Sequence, residues 1–168
     1  MRRLIGRAGV AAVAGVVVLT AVAWADGEKV APDKVPAKVM AAVKARFPGA
    51  ELTSVEKETE EGKVVYDIEL KHQGRKYEMD IHEDGTVIEV EKEVAAKDVP
   101  QAVTKGVQAK YPGAKITEVM EVNKVKGKQE TPDHYEVLIT TADNKKMEVE
   151  VALDGKTVKG GAAEADKK

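Results

Sequence analysis

Val35-Pro36-Ala37-Lys38-Val39-Met40-Ala41-Ala42-Val43-Lys44-Ala45-Arg46-Phe47-Pro48-Gly49-Ala50 is the stretch that decides how this chain reads. Its frame returns at Val99-Pro100 and closes at Tyr111-Pro112-Gly113-Ala114, displaced by 64 residues at both ends (35 to 99, 47 to 111). Each copy repeats an apolar residue every fourth place: Val35, Val39, Val43 and Phe47, then Val99, Val103, Val107 and Tyr111. Recurrence at a fixed spacing sets the architecture before any single element is assigned.

The fourfold spacing lays one apolar stripe along a helix of about three turns. Pro36 and Pro100 suit a helix start, where a fixed φ helps and no amide hydrogen is needed. Lys44 and Arg46 complement the negative C-terminal end. Pro48 and Pro112 stop the helices, and Gly49 and Gly113 permit the turn that follows.

Strands follow each helix. Leu52–Glu58 is a first strand with imperfect alternation. Val64, Tyr66, Ile68 and Leu70 alternate with Val65, Asp67, Glu69 and Lys71, the pattern of a half-buried strand. Gln73-Gly74 marks a turn, and Tyr77, Met79 and Ile81 alternate with Glu78 and Asp80. Asp84-Gly85 signals a hairpin before Ile88 to Val94. The second copy offers Ile116–Val122, then Tyr135 to Ile139, Met147 to Val151, Asp154-Gly155 and Thr157-Val158. Short turns make neighbouring strands antiparallel. The expected fold is α+β, two tandem units (35–97 and 98–159), each a helix packed on a four-stranded antiparallel sheet. Phe47, Tyr66, Tyr77, Tyr111 and Tyr135 fall at core parity.

The ends read differently. Arg2, Arg3 and Arg7 precede an apolar run from Ala8 to Ala23, and Ala23-Trp24-Ala25 has the small-x-small form of a cleavage site. Residues 1–25 are therefore expected to be a signal peptide; an uncleaved anchor is the alternative, although the run is short and rich in Ala and Gly. Residues 26–34 are expected to be a linker and 160–168 a disordered tail. Residues 1–25 hold three of the 27 basic residues and none of the 29 acidic ones, so the mature chain carries 24 against 29, a net charge of −5. That balance disfavours nucleic acid and anionic membrane surfaces. Without Cys the chain tolerates an oxidising compartment and excludes thiol catalysis and Cys-ligated metal.

The residues Val35-Pro36, Phe47-Pro48-Gly49-Ala50, Tyr66-Asp67-Ile68-Glu69 and Asp84-Gly85 have second-copy counterparts in Val99-Pro100, Tyr111-Pro112-Gly113-Ala114, Tyr135-Glu136-Val137 and Asp154-Gly155. Over residues 33–160 this pattern resembles the PepSY and PepSY-like group, which includes β-lactamase-inhibitor-like domains. The resemblance implies helix-on-sheet units in exported bacterial proteins and a role in binding or restraining peptidases or other envelope proteins. It carries no catalytic residue.

The residues themselves assemble no enzyme. Ser54 is the only serine and lacks a nucleophile elbow. His72, His82 and His134 are expected to be solvated near loops, with no converging metal set and no cofactor. Asp67, Glu69, Glu78, Asp80, Glu89 and Glu91 share the outward parity of one sheet. An open face lacks the partly buried site that raises a carboxyl pKa for acid–base work. It reads as wet surface, or as an acidic docking face for a basic partner or cations such as Ca²⁺. The turn at Glu60-Glu61-Gly62 expands in the second copy to Lys124–Asp133, a neutral insertion or a contact finger. Candidate partner contacts are Lys126, Lys128, Gln129 and Glu130 in that loop and Asp67, Glu69, Glu78 and Asp80 on the face. The expected function is a non-enzymatic, periplasmic or secreted binding module whose partner is an envelope peptidase or other exported protein. No nucleic-acid partner is expected, and no stable membrane anchor after signal cleavage. The alternative is a small-ligand or Ca²⁺-sensing envelope protein.

Overall fold

The structure is a computed structural model and describes residues 27–60 and 62–163. The expected signal peptide, and residues 164–168 of the expected tail, lie outside the described residues.

Among the described residues, nine strands form one sheet in which every strand pairs antiparallel with the next in sequence. They are β1 (Glu28–Lys29), β2 (Glu51–Glu60), β3 (Lys63–His72), β4 (Arg75–His82), β5 (Val87–Glu93), β6 (Lys115–Lys126), β7 (Gln129–Thr140), β8 (Lys146–Ala152) and β9 (Val158–Ala163). Helix α1 (Ala37–Arg46) links β1 to β2, and α2 (Gln101–Lys110) links β5 to β6.

This corrects the expectation of two tandem helix-plus-four-strand units. β5 pairs with β6 from Glu89↔Lys124 to Glu93↔Met120, so the sheet runs unbroken through the point where two sheets were to meet. The physical reason lies in the edges. Two separate sheets would each expose two rows of unpaired backbone groups, and joining them removes one pair of edges.

Both helices pack on the same side of the sheet. Val39 and Val43 of α1 are buried with Val55, Tyr66, Ile68, Leu70, Met79, Ile81 and Val90. Val103 and Val107 of α2 are buried with Val119, Val137, Ile139, Val149 and Val151. The stripe therefore drives each helix onto the sheet by apolar burial. Phe47 and Tyr111 end the helices in matching ways: the amide of Phe47 donates to the Val43 carbonyl at 2.8 Å and that of Tyr111 to Val107 at 2.7 Å. Phe47 and Tyr111 also pack, partly buried, against their respective cores.

The hairpin turns after β4 and β8 tuck beneath the helices. Gly85 has φ +88° and Gly155 φ +70°, a region that suits glycine. A Cβ on Gly155 would stand 2.1 Å from the Ala102 carbonyl oxygen of α2. Asp84 and Asp154 fix these turns by accepting hydrogen bonds from the amides of Thr86 (2.9 Å) and Lys156 (3.0 Å).

The second-copy loop is also corrected. Lys124–Asp133 lies almost wholly in strands: β6 runs to Lys126, β7 starts at Gln129, and Gly127-Lys128 make the turn. Pro132 sits beside the register shift at Val122/Asn123, where a ladder tolerates a missing donor. The lengthened hairpin reaches the first half. Val125 packs against the α1 core, and Glu130 pairs with Arg46 at the end of α1. At the termini, β1 and a 3-10 turn (Pro32–Lys34) occupy the expected linker, and β9 extends through residues 160–163 of the expected tail.

Candidate functional site

Strand parity delivers one face to the helices and the other to acid. On β3 and β4, Asp67 stands opposite Asp80 and Glu69 opposite Glu78. On β4 and β5, Glu78 stands opposite Glu91 and Asp80 opposite Glu89. Two transverse rows result, Glu69–Glu78–Glu91 and Asp67–Asp80–Glu89, with Lys124 of β6 continuing the second. Glu136 of β7 and Glu150 of β8 lie in the next row, opposite each other. Like charges set directly across strands destabilise a sheet, so this face is organised against its own stability.

The face is not the open, wet surface expected. Glu89 is 7% exposed and Glu91 9%, while Asp67, Glu69, Glu78 and Asp80 are partly buried. Val65, Met120 and Val122, which share this parity, are buried too, although none joins either helix-side core. Burial, then repulsion from Glu89, Glu60, Glu136 and Glu78, pushes the Asp80 carboxyl up to about 8. Burial, then the neighbouring acids, also raises Asp67 and Glu91. For Glu78 burial outweighs the opposing pull of Lys76, and the pKa is again raised. Glu136 is the exception: burial opposes its charge, but interactions with His134, Glu148 and Glu91 prevail and lower its pKa.

Cations on the face are few. Lys76 Nζ lies 2.7 Å from Glu78 Oε1 and 2.9 Å from Glu118 Oε1, while Lys124 pairs with Glu89. The Lys76 amide donates to Glu93 at 3.2 Å. His134 Nδ1 lies 2.9 Å from Asp133, with Nε2 3.6 Å from Glu136, and these acids raise its pKa against the effect of burial. His134 is thus a half-buried member of the acidic face and not a solvated loop residue, a role betrayed only by its parity with Glu136. His72 packs instead near Phe47 and Tyr77, with ring centroids 5.5 and 6.4 Å away.

The eight sequence candidates fall into two places. Asp67, Glu69, Glu78 and Asp80 come together on the face. Lys126, Lys128, Gln129 and Glu130 lie exposed at the tip of the β6–β7 hairpin, with Glu130 engaged by Arg46. Sequence reasoning missed Glu136, His134 and Lys124 as parts of the face, because they join it only when β5 pairs with β6, and it missed Lys76, although that residue shares the parity of Glu78 on β4. Among the described residues no group of three or more His, Asp or Glu is placed to hold a metal ion. A surface depression lies elsewhere, between α2 and the β8–β9 turn at Asp154–Lys156.

A long meandering sheet with two helices on one side is a recognisable fold, and comparison places the chain in a family. Residues 36–91 match the family model "Peptidase propeptide and YPEB domain". Residues 65–159, more than half of the chain, match "Putative beta-lactamase-inhibitor-like, PepSY-like". The chain belongs to this PepSY-like family. It is similar in fold to a DUF2874 family protein from Bacteroides uniformis: 21% identity, TM-score 0.55, 74% of this chain and 88% of that one covered. It is also similar to a BLIP-like protein from Bacteroides fragilis: 17% identity, TM-score 0.50, 79% and 91% covered. A third neighbour, from Bacteroides eggerthii and described as "putative periplasmic proteins", shares 14% identity with TM-score 0.55 over 75% and 88%. No curated protein matches the chain. No helix among the described residues is long and apolar enough to cross a membrane.

Proposed function

We propose that this protein is an exported, non-enzymatic binding module that holds another envelope protein through its acidic sheet face. The observation that carries the reading is the pair of cross-strand acid rows, Glu69–Glu78–Glu91 and Asp67–Asp80–Glu89, which cost stability and gain only sparse cations from the chain itself. Family membership supports a binding role, since the matched descriptions name an inhibitor-like domain and a peptidase propeptide. A periplasmic neighbour and the signal-like N-terminus support export. Restraint of a peptidase is the form of binding we favour. A partner would meet acids about 4.8 Å apart within each row, the spacing of neighbouring strands, in rows about 6.8 Å apart along the strands, which suits an extended basic segment.

The test compares capture from envelope extract by the mature chain (residues 26–168) and by a Glu69→Gln/Glu78→Gln variant of equal circular dichroism. A protein retained by the first and lost by the second is the expected result. Capture unaffected by the substitutions would remove the face from the function. Ca²⁺ sensing is the competing reading. Calorimetry decides it, because heat of binding at sub-millimolar Ca²⁺ would displace the docking reading.

A further inference from the structure

We propose that Asp67, Asp80 and Glu91 form a seat for one basic side chain of the docked partner, a lysine ammonium or an arginine guanidinium. The inference rests on the docking reading and names what docks. Two lysines of the chain show how an ammonium settles on this face. Lys76 Nζ sits between Glu78 and Glu118 at 2.7 and 2.9 Å, and Lys124 sits on Glu89. Beside those two occupied places, Asp67, Asp80 and Glu91 have no cationic partner among the described residues.

A second observation points to a ligand. Glu91 is nine-tenths buried, yet its Oε2 has no hydrogen-bond partner, and Asp67 Oδ1 also has none. An unsatisfied buried carboxyl oxygen is a standing cost that a hydrogen-bond donor removes. Burial, then repulsion from the neighbouring acids, raises the pKa of all three groups, and a cation arriving beside them would favour their charged form.

The geometry selects the kind of cation. A divalent ion needs several oxygens converging at 2.3–2.6 Å, and no described group is placed for that. An ammonium brings three donors and a guanidinium five, matching oxygens spread over neighbouring strands. Both arrive on an aliphatic stem.

Calorimetry of the mature chain with a hexalysine peptide at pH 8 and low salt tests the seat. Two variants each remove two carboxyl groups: Asp80→Asn/Glu91→Gln within it, and Glu51→Gln/Glu83→Gln at exposed positions outside it. The expected result is about a tenfold loss of affinity in the first, the scale of a charge-assisted hydrogen bond, and less than about twofold in the second. Equal losses in both would overturn the seat while leaving diffuse docking on the face intact. Absence of hexalysine binding by the unsubstituted chain would also overturn the seat, and capture from extract would then judge the docking reading on its own. Circular dichroism and urea midpoints check that each variant folds. Asp67→Asn replaces either seat substitution that prevents folding.

Discussion

Gly155 and Gly106 meet where α2 crosses the β8–β9 turn, and the meeting leaves no room for a methyl group. A Cβ on Gly106 would lie 2.2 Å from the Gly155 carbonyl oxygen, and one on Gly155 2.1 Å from that of Ala102. These neighbours are backbone and cannot swing aside. Gly155→Ala should therefore destabilise the fold by more than about 2 kcal/mol, adding a clash to the roughly 1 kcal/mol cost of positive φ. Gly74→Ala, with φ +79° and nothing within 4 Å, should cost about 1 kcal/mol. Urea denaturation of the two variants gives the comparison. At this scale the sequence was partly legible. Asp154-Gly155 announced its turn, but nothing in the local residues announced a helix lying on top of it. The acids were likewise legible as one face through their alternation. Their burial was not, because it depends on strands that are far away in sequence.

Among the elements, the helices were the easiest to read, since a fourfold stripe bounded by Pro and Pro-Gly admits one solution. α1 spans Ala37–Arg46, as the stripe predicts. The β6–β7 hairpin was the hardest. Lys124-Val125-Lys126-Gly127-Lys128 looks like a polar loop, and Pro132 argues against a strand, yet Val125 and Glu130 are held by the first half. The hairpin is a clasp whose grip is mainly apolar. Val125→Ala should cost about 1 kcal/mol, since the residue is only partly buried. A double-mutant cycle on Arg46 and Glu130 should return less than about 1 kcal/mol, the usual worth of a solvent-facing pair. Hydrogen exchange should show faster opening of α1 in the Val125 variant and no change in α2.

The whole molecule differs most from its expected form. Two units would unfold as two, whereas a sheet continuous from β1 to β9 couples them. Tyr66 and Tyr77 report on the first half, Tyr111 and Tyr135 on the second. Variants retaining one pair each should show coincident urea transitions. The repeat was visible in sequence, but which edges pair was not, because backbone hydrogen bonding leaves no mark on residue choice at the seam. The acidic face gives the molecule its pH dependence. Asp80 titrates near 3.9 unfolded and at about 8 folded, so between those values the folded state holds a proton that the unfolded chain has released. Stability contributed by this group is complete below pH 4 and lost as pH rises through 8. Asp67 and Glu91 act in the same direction, and Glu136, with its lowered pKa, acts oppositely only in acid. Urea midpoints should be higher at pH 5.5 than at pH 8.5, and Asp80→Asn should flatten that slope.

β1 matches only Lys57 and Glu56 of its neighbour, and β9 has no further strand beside it among the described residues. Among the described residues the ribbon is an unfinished ladder with a vacant rung at either end. Such margins are templates for strand addition, so crowding should lengthen the ladder copy by copy, and light scattering that climbs with protein concentration would record the growth.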